Sequence, residues 1–376
     1  MKIAINTIPL LSPLTGVGNY TYQMARLLPI IAPENSYSYF YGYHTNRLFD
    51  YKDNSSFYHI KEFIKKIPIL GEMTRKAKGI ANYFTYNNFD LYFEPNFISI
   101  NIKAKHIITT VHDFSFKLYP QWHPKDRILY FKRNFSKNIK KVDKIIVDSN
   151  FIKQEAINLF GFPEDKLIPI YLGVDKDIFK PYPLEELQDV KIKYALPENF
   201  ILFVGSIEPR KNIEGLLKAY ICLKERIKDD LLKLVLVGFK GWKNNEIMEL
   251  IKKVKEDIIY LGYLSDAELG KLYNLATAFA YPSIYEGFGL PPLEAMACGC
   301  PVITSNIASL PEVCSDSVYY VNPYEIDDIA DGIYKIITNE ELKKGLVQKG
   351  LERAKFFSWE KSAMEHLRVF EEVCNS

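Results

Sequence analysis

No run in this chain approaches the roughly 18 consecutive apolar residues that a membrane span needs, which excludes an integral membrane protein. Cysteine is scarce and unpatterned. Cys222, Cys298, Cys300, Cys314 and Cys374 are an odd number with no Cys-x-x-Cys, so thiols of a cytosolic protein fit better than a zinc site or a disulfide framework. Low-complexity tracts and internal repeats are also missing. The opening stretch, Met1 to Leu11, is interrupted by Asn6, Thr7 and Pro9 and reads as a first strand, not a signal peptide. What is present is 376 residues, 48% hydrophobic and 25% charged, the composition of a globular chain. At about 150 residues per domain, two to three domains are expected, with two halves the simplest division.

Charge is unevenly spread. Residues 1–180 hold 25 Lys and Arg against 16 Asp and Glu, while residues 181–376 hold 23 against 30. A basic first half points to something anionic on that side: a bilayer surface or a phosphorylated acceptor. Nucleic acid is not expected as a partner, because no zinc-finger or aromatic RNA-binding signature is present. Two basic segments carry apolar residues among their charges. Residues 61–78 set Lys61, Lys65, Lys66, Arg75, Lys76 and Lys78 around Phe63, Ile64 and Ile67. Residues 125–144 interleave eight Lys and Arg with Ile128, Leu129, Tyr130 and Phe131. Such segments suit peripheral contact with an anionic membrane, or are two ordinary surface helices.

The second half alternates. Short β-branched or aromatic runs at 200–206, 233–238, 258–263, 278–283, 301–306 and 318–322 are separated mostly by helix-like segments, the pattern of a parallel sheet wound with helices. The first half repeats it less cleanly, with strands expected at 2–7, 91–94, 106–111 and 144–148 and helices near 17–28 and 125–141. The stretch from Gly173 to Asn199, rich in Pro, Asp and Lys, marks the junction. Two such domains facing each other leave a cleft outside the carboxyl ends of their strands, where open α/β sheets bind ligands.

Two constellations there carry chemistry. In FILFVGSIEPRKNIEGLL (200–217) a strand ends at Gly205, and Asn212 is a plausible N-cap for the helix that follows. Arg210 and Lys211 then stand at a helix start, either as a phosphate clamp or as a solvated pair. In YPSIYEGFGLPPLEAMACGCPVI (281–303), Glu286 precedes a glycine loop, and Pro291 and Pro292 suit a first helical turn that carries Glu294. Gly287 and Gly289 free the backbone to approach an anion. Two further features are set aside. Asp175-Lys176-Asp177 has metal-ligand spacing but sits in the junction, and Ser265 with Glu268 fits a capping box. In the first half, Gly16-Val17-Gly18 fails as a dinucleotide fingerprint because Thr21 takes the third glycine position, which disfavours a nicotinamide enzyme. His112, beside Asp113 at a strand end, is either a polar pair or a neutral imidazole that hydrogen-bonds a substrate.

The runs EGFGLPPLEAMACGCPVI and GSIEPRKN resemble the retaining glycosyltransferases of family 4, which have the GT-B fold. TGVGNY (15–20), VHD (111–113), YLGVD (171–175), GYLSDAELGKLY (262–273) and FSWEKSA (357–363) are similar to further segments of that family, so the resemblance covers nearly the whole chain. It implies an α/β chain of two doubly wound Rossmann-like domains facing across a cleft. An acceptor-binding domain (1–180, with 357–376 as a closing helix) would precede a nucleotide-sugar domain (181–356). It implies that Glu286 contacts the donor sugar, that Glu294 binds the ribose hydroxyls, and that the backbone of Gly287, Phe288, Gly289 and Leu290 touches sugar and diphosphate. Arg210 and Lys211 would neutralise the leaving diphosphate without a metal or other cofactor. His112 would contact the sugar. Gly16, Gly18, Ser206 and Tyr263 complete the expected donor site. Many members carry Arg where this chain has Ser206, so Arg210 is expected to supply that cation.

VGSIEPRKN and VGFKGWKN are most similar to bacterial mannosyltransferases of surface polysaccharide assembly, which use GDP-mannose. The expected activity is thus retaining transfer of a hexose to a glycan or lipid-linked acceptor, in the cytoplasm or on the inner face of the cell membrane. A UDP- or dTDP-sugar donor stays open, as does a non-hydrolysing nucleotide-sugar epimerase, which would act on the donor without any acceptor.

Overall fold

Strands rich in apolar residues on both faces need cover on both sides, and the chain satisfies this with two helix-flanked sheets. A computed structural model describes residues 1–11, 16–49, 88–98, 102–227, 231–239, 241, 245–254 and 256–376. The first sheet contains β1 (Lys2–Asn6), β2 (Ser36–Phe40), β3 (His44–Thr45), β4 (Phe89–Glu94), β5 (Ala104–Val111), β6 (Lys144–Val147) and β7 (Leu167–Pro169), in the order β3-β2-β1-β4-β5-β6-β7. Its pairings are parallel except for β3 on β2. The second contains β8 (Phe200–Val204), β9 (Lys233–Val237), β10 (Ile258–Gly262), β11 (Ala278–Tyr281), β12 (Val302–Ser305) and β13 (Tyr319–Val321), in the order β10-β9-β8-β11-β12-β13. The strand order reverses between β1 and β4 and again between β8 and β11, and a crevice opens at such points.

β8, β11 and β12 are buried along their whole lengths. β2, β3 and β7 are additions to the strands expected from sequence. β2 alternates Ser with Tyr before Phe40, β3 is two residues long, and β7 ends in Pro169, which cannot donate to a ladder. Ser265 and Glu268 form the expected capping box. Asn212 stands at the expected N-cap position, its carbonyl accepting from the Leu216 amide at 3.0 Å, but its φ is 54°, left-handed instead of extended, and its side-chain amide donates to the Pro323 carbonyl at 2.7 Å. A short turn over Pro209–Lys211 precedes it, so the chain must reverse there before helix Ile213–Ile227 can begin.

Helix Lys125–Ile139 sends Ile128, Phe131, Phe135 and Ile139 into the protein and leaves Leu129 and Tyr130 about half exposed beside Lys125, Lys132 and Arg133. The other basic segment, 61–78, lies outside the described residues. No described helix is long and apolar enough to cross a membrane.

The last helix, Trp359–Asn375, returns to the first sheet. His366 and Phe370 pack on Phe93, with ring centroids 5.7 and 5.1 Å away. His366 Nδ1 donates to the Ser362 carbonyl (2.7 Å), so Nε2 is left to accept from the Tyr20 hydroxyl (2.6 Å), which also meets Thr110 Oγ1 at 2.6 Å. Burial pushes the His366 imidazole down to about 4, so it stays neutral near pH 7. At the crossing, Val174 bridges Ser358 and a Cβ on Gly173 would lie 2.1 Å from the Trp359 nitrogen. Backbone cannot yield there as a side-chain tip could. Gly173→Ala should therefore lower stability by about 1–3 kcal/mol, seen as a lower urea midpoint. An unchanged midpoint would show that the crossing tolerates displacement.

Candidate functional site

The carboxyl ends of β8 and β11 converge on one acid. Glu286, 6% exposed, receives four hydrogen bonds. Lys211 Nζ (2.6 Å), Tyr281 Oη (2.8 Å) and Ser283 Oγ (2.6 Å) meet Oε1, and Arg210 Nη1 meets Oε2 at 2.9 Å. Burial alone would raise this carboxyl. Arg210 and Lys211 outweigh it and hold the group down at about 2, so it is ionised at any working pH. Lys211 is itself buried and also donates to Tyr281 Oη at 2.5 Å. Arg210 reaches back to Glu208, with Nη2 and Nε at 2.9 and 3.2 Å from Oε1.

From sequence, Arg210 and Lys211 are either a phosphate clamp or a solvated pair. Here they are already matched by Glu208 and Glu286. Two cations taken out of water beside two acids are cheaper to bury than two cations alone.

Eight residues past Glu286, Glu294 is half-buried in helix Leu290–Ala297, accepting from Tyr273 Oη at 3.1 Å. Burial, and then the charge of Asp266, push its carboxyl up to about 8. Gly289 has φ 106°, and a Cβ there would stand 2.7 Å from Leu310 Cδ2, so only glycine fits the turn. Pro291 and Pro292 lack N–H groups, which narrows the helix start to the amides of Gly289 and Leu290 as anion donors. Tyr263, 48% exposed at the end of β10, stacks on Phe239 at the end of β9 (centroids 4.5 Å, planes 16° apart). Ser206 is half-buried at the end of β8.

The first sheet meets this loop directly. A Cβ on Gly287 would sit 1.8 Å from the His112 carbonyl, Ser149 Oγ donates to the Gly287 carbonyl (2.8 Å), and Tyr285 Oη accepts from the Phe114 amide (3.0 Å). Glu312 accepts from the Asn150 and Phe151 amides at 2.7 and 2.9 Å, placing its charge at the positive end of helix Asn150–Phe160. Gly16, exposed, lies near Leu290, with a Cβ position 3.8 Å from Leu290 Cδ1. Gly18 is buried in the first turn of helix Gly16–Ile31.

His112 is engaged within the protein. Nδ1 lies 2.8 Å from Asp148 Oδ2 and Nε2 lies 2.8 Å from the Pro95 carbonyl, which can only accept. Both nitrogens are thus engaged by the protein. Burial disfavours charge on the ring, but Asp148 outweighs it and raises His112, while burial raises the Asp148 carboxyl in turn.

Glu208, Tyr281, Ser283, Tyr285 and Asp148 are the site residues that the sequence reading missed. Glu208, Tyr281, Ser283 and Tyr285 lie inside the two motifs already singled out, so position relative to Glu286 was the available signal. Asp148, at the end of β6, had none. Among the described residues, no group of three or more His, Cys, Asp and Glu is disposed to hold a metal.

Residues 15–178 match Glycosyltransferase Family 4, and residues 185–353 match Glycosyl transferases group 1. The chain is 33% identical to O-antigen chain mannosyltransferase B of Escherichia coli, over 98% of this chain and 99% of that one. It is 35% identical to the serotype-specific mannosyltransferase WbdA of Escherichia coli over 64% of its own length, which spans only 30% of that longer protein. Among solved structures, Anabaena HepE in complex with UDP-glucose superimposes with a TM-score of 0.72 at 18% identity, covering 98% of this chain and 100% of that one, a likeness of fold.

The raised Glu294 carboxyl fixes a sign. The folded chain keeps a proton up to about pH 8 that the unfolded chain releases near 4.5, so this group makes stability fall as pH rises between those values. Glu294→Gln, which cannot ionise, should melt higher than the parent at pH 8 and about equally at pH 4.5. Equal melting at both pH values would mean that the carboxyl titrates normally.

Proposed function

The chain belongs to the family 4, group 1 glycosyltransferases with the GT-B fold, and from that premise we propose that it transfers mannose from GDP-mannose, with retention and without a metal, to a glycan or lipid-linked acceptor in surface polysaccharide synthesis. The observation that carries the reading is the convergence of Arg210 and Lys211 on Glu286 at the point where the second sheet reverses its strand order. The choice of mannose is supported by the relative that is called a mannosyltransferase and matches along nearly its whole length.

On this reading the second sheet holds the donor and the first the acceptor. The diphosphate competes with Glu286 for Arg210 and Lys211. As the cations turn to phosphate oxygens, Glu286 is released to accept hydrogen bonds from sugar hydroxyls, and the amides of Gly289 and Leu290 add donors. Glu294, once deprotonated, accepts from the ribose hydroxyls. Tyr263 borders the base. Charge developing on the departing phosphate is met by two cations in a water-poor setting, the work a divalent metal does elsewhere. Retention follows by front-face transfer, the leaving phosphate taking the acceptor's proton, because Glu286, once the cations have turned away, keeps Tyr281 and Ser283 as donors and takes up the sugar hydroxyls, leaving no free nucleophile. His112, with both nitrogens occupied, acts by packing beside the Gly287 loop, and reaches the donor sugar only where the sugar takes the place of the Pro95 carbonyl.

The exposed face of helix Lys125–Ile139, with Leu129 and Tyr130 among Lys and Arg, supports peripheral contact with an anionic bilayer and a place on the cytoplasmic side of the membrane.

The test is a melting series in EDTA with GDP, UDP, dTDP and ADP, followed by the anomeric configuration of the product by NMR. A ligand at a hundred times its Kd adds about 2.7 kcal/mol to the folded state. GDP should raise the melting temperature by several degrees, more than the others, and the product from GDP-mannose should be the α-anomer. A larger shift with UDP or dTDP would change the donor, an inverted product would remove the front-face route, and consumption of donor without any acceptor or water would favour an epimerase.

A further inference from the structure

Glu208 is an acid with no assigned task. It is 2% exposed, and its Oε1 accepts both Nε and Nη2 of Arg210 while Oε2 has no hydrogen-bond partner among the described residues. The Nε/Nη2 edge of a guanidinium matches two carboxylate oxygens side by side, yet here both donors fall on one. An unsatisfied buried carboxylate oxygen is costly. The other end of Arg210, Nη1, is tied to Glu286 and to the Tyr285 carbonyl at 3.2 Å. Arg210 is therefore stretched between two acids, and one of them has an oxygen to spare.

Charge accounting gives the arrangement a purpose. Glu208 and Glu286 balance Arg210 and Lys211, and Asp113 adds a further negative charge that acts on Arg210. When the donor draws Glu286 away, Arg210 loses one of its two anchors. Glu208 can then close on it with both oxygens. Its charge also opposes the phosphates through a medium where screening is weak. We propose that Glu208 is a positioning residue for the transfer: it keeps Arg210 aimed at the diphosphate once Glu286 has left, and it limits how tightly the nucleoside diphosphate product is held. This rests on the reading that a diphosphate binds Arg210 and Lys211.

The test measures GDP binding by calorimetry, with UDP in parallel, and turnover of GDP-mannose with a mannose-terminated oligosaccharide, for the parent, Glu208→Gln and Glu208→Asp. Glu208→Gln removes the charge and keeps the shape. It should bind GDP at least fivefold more tightly while kcat falls at least tenfold, a divergence that loss of packing would not produce. Glu208→Asp keeps the charge but shortens the reach, so it should bind GDP within twofold of the parent and still lose turnover. Equal or weaker GDP binding by Glu208→Gln would overturn the proposal. Should that variant not fold, a change of more than twofold in the affinity of Glu208→Asp would do the same. If the parent binds neither GDP nor UDP, the functional reading fails first and takes this inference with it.

Discussion

The carboxylate of Glu286 holds the centre of this molecule because four donors from three places in the chain meet on its two oxygens. Lys211 and Arg210 arrive from the turn after β8, Tyr281 from the end of β11, and Ser283 from the two-residue step beyond it. None of these groups could be buried alone. A lysine and an arginine out of water need a counter-charge, and an isolated buried carboxylate would take up a proton. Together they form a compact ionised cluster whose members fix one another's position before any ligand arrives.

That cluster sits beside contacts between the chain's two halves. Gly287, next to Glu286, passes so near the His112 carbonyl that a methyl group has no room, and Ser149 serves both as the cap of helix Asn150–Phe160 and as a donor to the Gly287 carbonyl. The loop that carries the acid is thereby also part of the seam. A ligand that displaced Glu286 would act on the same loop that joins the two sheets. The closing helix, tied down through His366, Tyr20 and Gly173, sets the frame within which this takes place.

Much of the fold was legible because parallel strands covered on both faces read as apolar runs, as in Phe200–Val204, and because punctuation such as Gly-Phe-Gly-Leu-Pro-Pro has few structural readings. The strands that escaped lack that signature: Ser36–Phe40 alternates with serine, and His44–Thr45 is too short to show a period. The motif residues Arg210, Lys211, Glu286 and Glu294 were legible as a set. Their pairing was not, since nothing in the order of residues says that Glu208 and Glu286 would both fall on Arg210. The partners of His112 escaped for the same reason. Asp148 and the Pro95 carbonyl are 36 and 17 residues away and meet it only through the register of β4, β5 and β6.

The proposed exchange of partners at Arg210 and Lys211 is tested most directly by a crystal structure with GDP bound. It predicts β-phosphate oxygens within hydrogen-bond distance of both side chains, with the Arg210–Glu286 pair broken and the Glu286 carboxylate turned toward the space where the sugar would lie. A diphosphate seated elsewhere, or one bound while Glu286 keeps both cations, would contradict it.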